Sequence, residues 1–266
     1  MKNIQLLAID FQNDFCDPKG ALCVAGASED AERVAKMITK HADKIDNICV
    51  TLDSHQLVHI ANPICWVDSS GNHPVPFTII EENDIVGSDA KWRASNPASQ
   101  EWQVGYVKSL AINKRHPLNI WVPHCLIGTW GWSIYPVFSD ALIAWQKLFA
   151  EVDFVTKGSN RKTEHYSAVR AEVEDPDDPT TKLNGPFVNS LKLADTILIA
   201  GEALSHCVRS TVSDVAGEFS DEEVKKFVFL EDASSPVAGF ENLADDFVNE
   251  MAAKGMRISR TDTFFS

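Results

Sequence analysis

Six residues of the types that perform covalent or metal chemistry stand where short apolar runs end: Asp10, Asp53, His55, His124, Lys157 and Cys207. Asp10, Lys157 and Cys207 make one group. A thiol attacks a carbonyl only as its thiolate, and its free pKa is about 8.5. An ammonium group and a helix N-terminus both favour the thiolate. A carboxylate can take the thiol proton and later hand it to a leaving amine. Asp, Lys and Cys can therefore carry out acyl transfer without a catalytic histidine. The same cysteine fits a plainer reading, a buried core thiol, which is the usual place of a free cysteine.

Asp53, His55 and His124 make the other group. In Asp-x-His at a strand end the two side chains share one side of the chain, and a histidine from the next strand end would complete a three-ligand face. Two imidazoles and one carboxylate suit Zn²⁺, Fe²⁺ or Mn²⁺, with positions left open for water or substrate. The plainer reading is that His55 and His124 are hydrogen-bonded loop histidines. His59 is near enough to be an alternative ligand or an outer partner. His206 adjoins Cys207 with no evident task, and His41, His73, His116 and His165 read as surface residues.

The elements that would position these groups alternate. Apolar runs at 4–9, 47–52, 118–122, 153–156, 196–200 and 227–230 read as strands. Residues 28–42, with Ser28 as N-cap, 136–148, a segment starting near Cys207, and 242–254 closed by Gly255 read as helices. Strands separated by helices imply right-handed crossovers and a mostly parallel sheet covered on both faces. The fold class expected is α/β, a single three-layer, doubly wound domain over residues 1–266 with six strands. Ligands in such folds bind beyond the carboxyl ends of the strands, and five successive strand ends deliver the polar residues above to that edge. Residues 62–119 break the rhythm and read as an ordered insertion between strands two and three, with a hairpin around residues 77–80. The acidic stretch 172–182 reads as a surface loop.

Composition bounds the partners. The chain has 266 residues, and its 44% hydrophobic content is too high for a disordered polymer. Its net charge of −14 disfavours phosphate backbones and anionic membranes, so neither nucleic acid nor membrane is expected as a partner. No run approaches the roughly 18 apolar residues of a membrane span. Six scattered cysteines without CxxC suit free thiols in a reducing compartment, which places the chain in the cytoplasm as an expectation.

Several stretches match a known pattern in order. They are Ile9-Asp10-Phe11-Gln12-Asn13-Asp14-Phe15 continued by Gly20-Ala21-Leu22; Asp53-Ser54-His55 with His59; Trp121-Val122-Pro123-His124-Cys125 with Gly128-Thr129; Thr156-Lys157-Gly158 followed by Tyr166-Ser167; Gly201 to Val208; and Glu231-Asp232-Ala233. Together they resemble the nicotinamidase branch of the isochorismatase-like cysteine hydrolases, over residues 4 to about 240. The resemblance implies a metal-assisted amidohydrolase acting on a small heteroaromatic amide, nicotinamide above others, through a Cys thioester. It implies Asp10 as base, Lys157 as stabiliser of the thiolate, Cys207 as nucleophile, and the Ala203 and Cys207 amides as oxyanion hole, with a cis peptide between Glu202 and Ala203. Asp53, His55 and His124 would hold one divalent ion, zinc first and iron or manganese as alternatives. Trp121 and Phe15 would line the substrate. In that family the metal orients the pyridine nitrogen, and members often form homo-oligomers. The departures lie in the pocket wall. Ser54, Gln56, Ala61 and Asn62 replace an aromatic, Pro, Ser and Phe, and Glu202, Leu204 and Ser205 replace Val, Thr and Glu. Those changes keep open another small amide or carbamoyl compound as substrate, or ligand binding without turnover.

Overall fold

Apolar side chains fill both parities of the runs that become the central strands, the pattern of strands covered on two faces. The computed structural model describes residues 3–113 and 115–266. In chain order its strands are β1 (Ile4–Ile9), β2 (Asn47–Asp53), β3 (Trp66–Val67), β4 (Ile79–Ile80), β5 (Arg93–Ala94), β6 (Leu118–Asn119), β7 (Val152–Lys157), β8 (Thr196–Gly201), β9 (Phe227–Leu230) and β10 (Arg257–Ser259). The helices are α1 (Asn13–Cys16), α2 (Ala27–Lys40), α3 (Glu82–Ile85), α4 (Gln100–Ile112), α5 (Pro136–Gln146), α6 (Gly185–Lys192), α7 (Arg209–Gly217), α8 (Asp221–Val224) and α9 (Glu241–Ala253).

Six strands form one sheet in the order β10-β9-β8-β1-β2-β7, every pair parallel. Alternation sends Leu6 and Ala8 of β1 to one face, where they meet Val34 and Ile38 of α2 and Phe138 and Leu142 of α5. Leu7 and Ile9 go to the other face, with Leu191 of α6, Val212 of α7 and Phe247 of α9. The expected three-layer architecture is therefore present. After β1 the chain fills the sheet toward β7, then returns to the other side of β1 with β8. The β1/β8 boundary is thus a topological switch point, where the backbone leaves a crevice beyond the strand ends.

The strand inventory differs from expectation in two places. Residues 118–122 are not a strand of this sheet. Only Leu118–Asn119 is a strand, antiparallel to Ile79–Ile80, and the Ile120 and Trp121 amides donate to Thr78 and Ala61 carbonyls instead. The segment's hydrogen bonds are spent stitching the insertion down, so the expected hairpin at 77–80 closes with residues 118–119 and not locally. The sixth sheet strand is β10, whose Arg257 and Ile258 are exposed and whose three residues carry little apolar signal. At α2, Gly26 and not Ser28 occupies the N-cap, with φ of +97°.

Residues 62–119 carry four short strands and two helices. Its longer helix, α4, buries Tyr106, Val107 and Leu110, and Trp66 is fully buried with its indole N–H on the Ile60 carbonyl at 2.7 Å. The stretch 172–182 is not simply superficial: Glu172, Asp175 and Thr181 are buried. Among the described residues all six cysteines are free thiols, and no helix is long and apolar enough to cross a membrane.

Candidate active site

Asp10, Asp53 and Lys157 stand at ends of sheet strands, whereas His124, expected at one, follows an irregular segment after β6, and Cys207 lies in the turn after β8. Asp10 follows β1 with φ of +51° and is fully buried. Its backbone N–H donates to the Thr51 carbonyl, and the Thr51 hydroxyl donates to its Oδ1 at 2.5 Å. Lys157 closes β7, two strands away. Its Nζ lies 2.9 Å from Asp10 Oδ2, 3.2 Å from Asp53 Oδ1 and 3.3 Å from Cys207 Sγ, and also donates to the His165 carbonyl at 3.1 Å. Cys207 sits in a wide turn, Leu204–Val208, that leads into α7. The peptide Glu202–Ala203 is cis. The Ala203 and Cys207 amides donate no hydrogen bond outside that turn among the described residues.

Charge sets the resting protonation states. Burial works against the Lys157 ammonium, but the Asp10 and Asp53 carboxylates outweigh it and hold its pKa well above the lysine range. Burial raises the Asp10 carboxyl, with Lys157 opposing, which makes Asp10 a better proton acceptor. Burial also pushes the Cys207 thiol well up, and the negative charges of Asp10 and Asp53 offset part of the help from Lys157. Burial, and after it the two carboxylates that share the Lys157 ammonium, thus oppose the thiolate that Lys157 favours.

Beside this trio Asp53, His55 and His124 converge. Asp53 Oδ2 is 3.0 Å from His55 Nε2 and 3.3 Å from His124 Nε2. The far nitrogens face carbonyls: His55 Nδ1 lies 3.1 Å from Gly158 O, and His124 Nδ1 lies 2.8 Å from Val122 O. With a proton on each Nδ1, both Nε2 lone pairs point at a carboxylate oxygen, an arrangement of acceptors that a bound metal ion, or in its absence a proton on Nε2, reconciles. The charges agree. Asp10, Asp53 and Glu164 are buried carboxyls near a single ammonium, Lys157, and one divalent ion beside neutral histidines balances the set. The residues therefore fit a divalent metal.

Two residues outside the expected set belong to this neighbourhood. Glu164 Oε1 is 3.8 Å from His55 Nε2, and its carboxylate also accepts from the His165 N–H at 2.9 Å. No spacing singles it out in the sequence; the available signal was its place seven residues past a strand-end lysine. Gly158 has φ of +85°, and a Cβ there would lie 2.8 Å from His55 Cε1. His59 is engaged at both nitrogens, accepting from Ala61 N and facing Thr163 O at 3.1 Å. His165, expected at the surface, is 5% exposed because the chain after β7 folds back over the strand ends.

The opening stretch works as a set of ties. Gln12 bonds both the N–H and the C=O of Asp53. Asp14 Oδ2 accepts from Cys125 N at 2.6 Å, and the segment 125–127 pairs with His55 beyond the end of β2. Aromatic rings wall the crevice. The Trp121 indole N–H donates to Tyr166 OH at 3.0 Å, and its ring meets His206 at 5.1 Å and Phe240 at 6.3 Å. Phe15 packs edge-on to His124 at 5.4 Å. The pocket between these residues, partly open to solvent, has a volume of only ≈ 30 Å³, so wall side chains must move to admit a ring. A groove of ≈ 540 Å³ between residues 58–65 and 95–103 is larger, but no cluster of titratable groups converges on it.

No family model matches the chain. It is 22% identical over 253 residues to the nicotinamidase of Saccharomyces cerevisiae, covering 95% of this chain and 97% of that one. The crystal structure of the yeast nicotinamidase Pnc1p bound to the inhibitor nicotinaldehyde superposes with a TM-score of 0.65 at 19% identity, over 97% of this chain and 99% of that one. This chain has the nicotinamidase fold. The pyrazinamidase of Pyrococcus horikoshii, solved in complex with zinc, matches with a TM-score of 0.57 at 18% identity, over 97% and 99% of the two chains. The nicotinamidase-like resemblance thus spans nearly the whole chain, insertion included.

Proposed function

We propose that the chain is a cysteine amidohydrolase that converts a small heteroaromatic amide, nicotinamide above others, to its carboxylic acid and ammonia. The observation that carries this reading is the position of one ammonium, Lys157 Nζ, 2.9 Å from Asp10 Oδ2 and 3.3 Å from Cys207 Sγ. The likeness to nicotinamidases supports the substrate class.

In this reading Cys207 Sγ attacks the amide carbon as its proton passes to Asp10. The tetrahedral oxyanion faces the Ala203 and Cys207 amides. Lys157 holds both partners of the proton transfer in place. Collapse breaks the C–N bond, and the departing ammonia takes the proton from Asp10, leaving a thioester on Cys207. Water then gives its proton to Asp10 and adds to the thioester carbon. The second collapse frees the acid, and the sulfur regains its proton. Asp53, His55 and His124 would hold a divalent ion, zinc in the first instance, with iron or manganese suited to the same donors. When bound, that ion supplies a Lewis acid for the lone pair of a ring nitrogen. Trp121 and Phe15 flank the ring.

The test is ammonia release from nicotinamide, with metal content measured on the same sample. Cys207→Ala should abolish release while leaving the melting profile in place, and nicotinaldehyde should protect the wild-type thiol from alkylation. Wild-type ammonia release by Cys207→Ala would refute the mechanism.

A further inference from the structure

Glu202 stands between the end of β8 and the Ala203 amide, and it is fully buried. A glutamate there is unexpected, since the strand before it is apolar from Ile197 onward and wholly buried. Its Oε2 accepts from Ser235 N at 3.2 Å. Its Oε1 has no donor among the described residues, yet the carboxyl lies within hydrogen-bonding range of the Asp30 carboxyl. Asp30, on α2, is also buried. Asp30 Oδ2 accepts from Ser235 Oγ at 2.6 Å and its Oδ1 from Arg33. Arg33 donates in addition to the Asp232 carbonyl.

Two acceptors facing each other in a dry site repel unless one carries a proton. Among the described residues Arg33 is the one cation that faces the pair, and it is bonded to Asp30. The other titratable neighbours, the Cys16 thiol on α1 and the Asp10 carboxyl past β1, supply no positive charge. Asp30 is therefore the carboxylate, and Glu202 the acid that donates to it. Burial, then the charge of Asp30, drives the Glu202 carboxyl well above the usual range, in agreement with the geometry.

Ser235 is gripped from both sides by this pair. Its carbonyl accepts from Leu204 N at 2.9 Å, Val237 N donates to Ser205 Oγ at 3.1 Å, and Ser234 Oγ donates to the Gly201 carbonyl at 2.5 Å. The segment 233–237 is thereby sewn along the turn that presents Ala203 and Cys207.

We infer that Glu202 is a positioning residue: as a neutral acid bonded to Asp30 it clamps Ser235, and through Ser235 it holds the Ala203 and Cys207 amides in register with the thiol. The catalytic part of this inference rests on the amidohydrolase reading. Losing the shared proton at high pH places two carboxylates side by side and slackens the turn, so Glu202 sets an alkaline limit on turnover.

Three proteins decide the matter: wild type, Glu202→Gln, which keeps a donor and cannot ionise, and Glu202→Ala. With nicotinamide, Glu202→Ala should lower kcat about 10-fold or more and leave KM within about threefold, because oxyanion bonds form in the transition state. Glu202→Gln should recover most of that loss and shift the alkaline limb of the kcat profile upward. Equal kcat losses in the two variants, or an unmoved limb, overturn the inference.

A second readout needs no turnover. In the unfolded chain the Glu202 carboxyl ionises near 4.5, whereas the fold retains its proton, so wild type loses stability as pH rises above that value. The Tm of Glu202→Gln minus that of wild type should therefore grow between pH 5 and 8, and a flat difference overturns the inference. This comparison also decides the matter if Glu202→Ala fails to fold. A growing Tm difference in a protein that releases no ammonia from any amide would leave the clamp standing and remove the amidohydrolase reading.

Discussion

Gly158→Ala is the smallest change expected to disable the histidine cluster. Gly158 takes φ of +85°, a region that costs an alanine about 1–2 kcal/mol. The added Cβ would lie 2.8 Å from His55 Cε1 and 3.0 Å from both Asp53 Oδ1 and His55 Nδ1. Ordinary contact distances are near 3.5 Å, so the imidazole must retreat by roughly half an ångström or more. Retreat also lengthens the bond between His55 Nδ1 and Gly158 O that fixes the ring's tautomer. Loss of such an outer bond typically lowers metal affinity about 10- to 100-fold. The backbone cost alone should lower Tm by a few degrees, about 2–6 °C for a chain of this size. Gly105→Ala is the control, since Gly105 lies in α4 with nothing within 4 Å of its added Cβ. An alanine there should stabilise slightly, by about 0.5–1 kcal/mol. The assay is zinc titration against a competing chelator, paired with thermal unfolding, for both variants. If Gly158→Ala binds zinc as tightly as wild type and melts within 1 °C of it (roughly the error of the scan), the assignment of His55 to the metal face is wrong.

Four further outcomes follow from the structure. Chelation should lower Tm at pH 7.5 and zinc should restore it, by about 2.7 kcal/mol when free zinc is 100 times its Kd. In the chelated protein burial opposes the His55 charge, but Asp53 and then Glu164 pull its pKa up to about 9. The stability that His55 contributes is then full below 6.5 and fades as pH rises through about 9, which a Tm series across that window will read. Glu172 is 4% exposed, and burial, eased by Arg115, raises its pKa to about 8. The folded chain keeps a proton that the unfolded chain loses above 4.5, so Glu172→Gln should stabilise by about 3 kcal/mol at pH 7 and not at pH 4.5; an equal Tm difference at both pH values contradicts this. Trp121→Ala removes a ring packed against His206 and the bond to Tyr166, and should raise KM for nicotinamide about 3- to 10-fold, the worth of one aromatic contact, with a smaller change in kcat.

How far the chain could be read in advance depends on where its information is stored. Asp10 and Asp53 follow or end strands with apolar stretches at 6–9 and 48–50, and strand ends are visible as breaks in such runs; the strand before Lys157 is mixed, with Asp153 and Thr156 among its apolar residues. Cys207 was visible for the same reason, lying just past β8. Glu164, Tyr166 and His206 gave no such signal. Glu164 and Tyr166 reach the site because the chain after β7 doubles back, and the bonds that hold it there, such as Glu172 N to Glu164 O and Trp102 Nε1 to Lys162 O, join residues with no periodic relation; His206 comes with the turn that carries Cys207. Residues 118–122 misled because apolar alternation specifies an extended segment without specifying its partner. Pairing went to Thr78 and Ala61, which the insertion brings close. The α4 helix was hidden for the opposite reason: its buried face includes Gln103 and its exposed face Ile112, so no clean stripe marks it.

The resting thiol reorders the chemistry suggested by residue types alone. With Lys157 Nζ bonded to Asp10, Asp53 and Cys207 at once, its charge is divided among three acceptors. A thiolate waiting beside two carboxylates would add a third negative charge to a dry site, and such charges are costly unless individually paired. The proton therefore stays on sulfur until a carbonyl arrives to receive the electron pair. In the proposed reaction negative charge then passes from the sulfur to the oxyanion, and Asp10 gains a proton and becomes neutral. Both movements relieve the crowding that opposed ionisation at rest. It follows that Asp10→Asn should silence turnover, because an amide cannot accept the proton that thiolate formation releases. An Asp10→Asn variant that keeps even a tenth of wild-type kcat would require a different base, and among the described residues no other unengaged carboxylate lies as close to the Lys157–Cys207 pair.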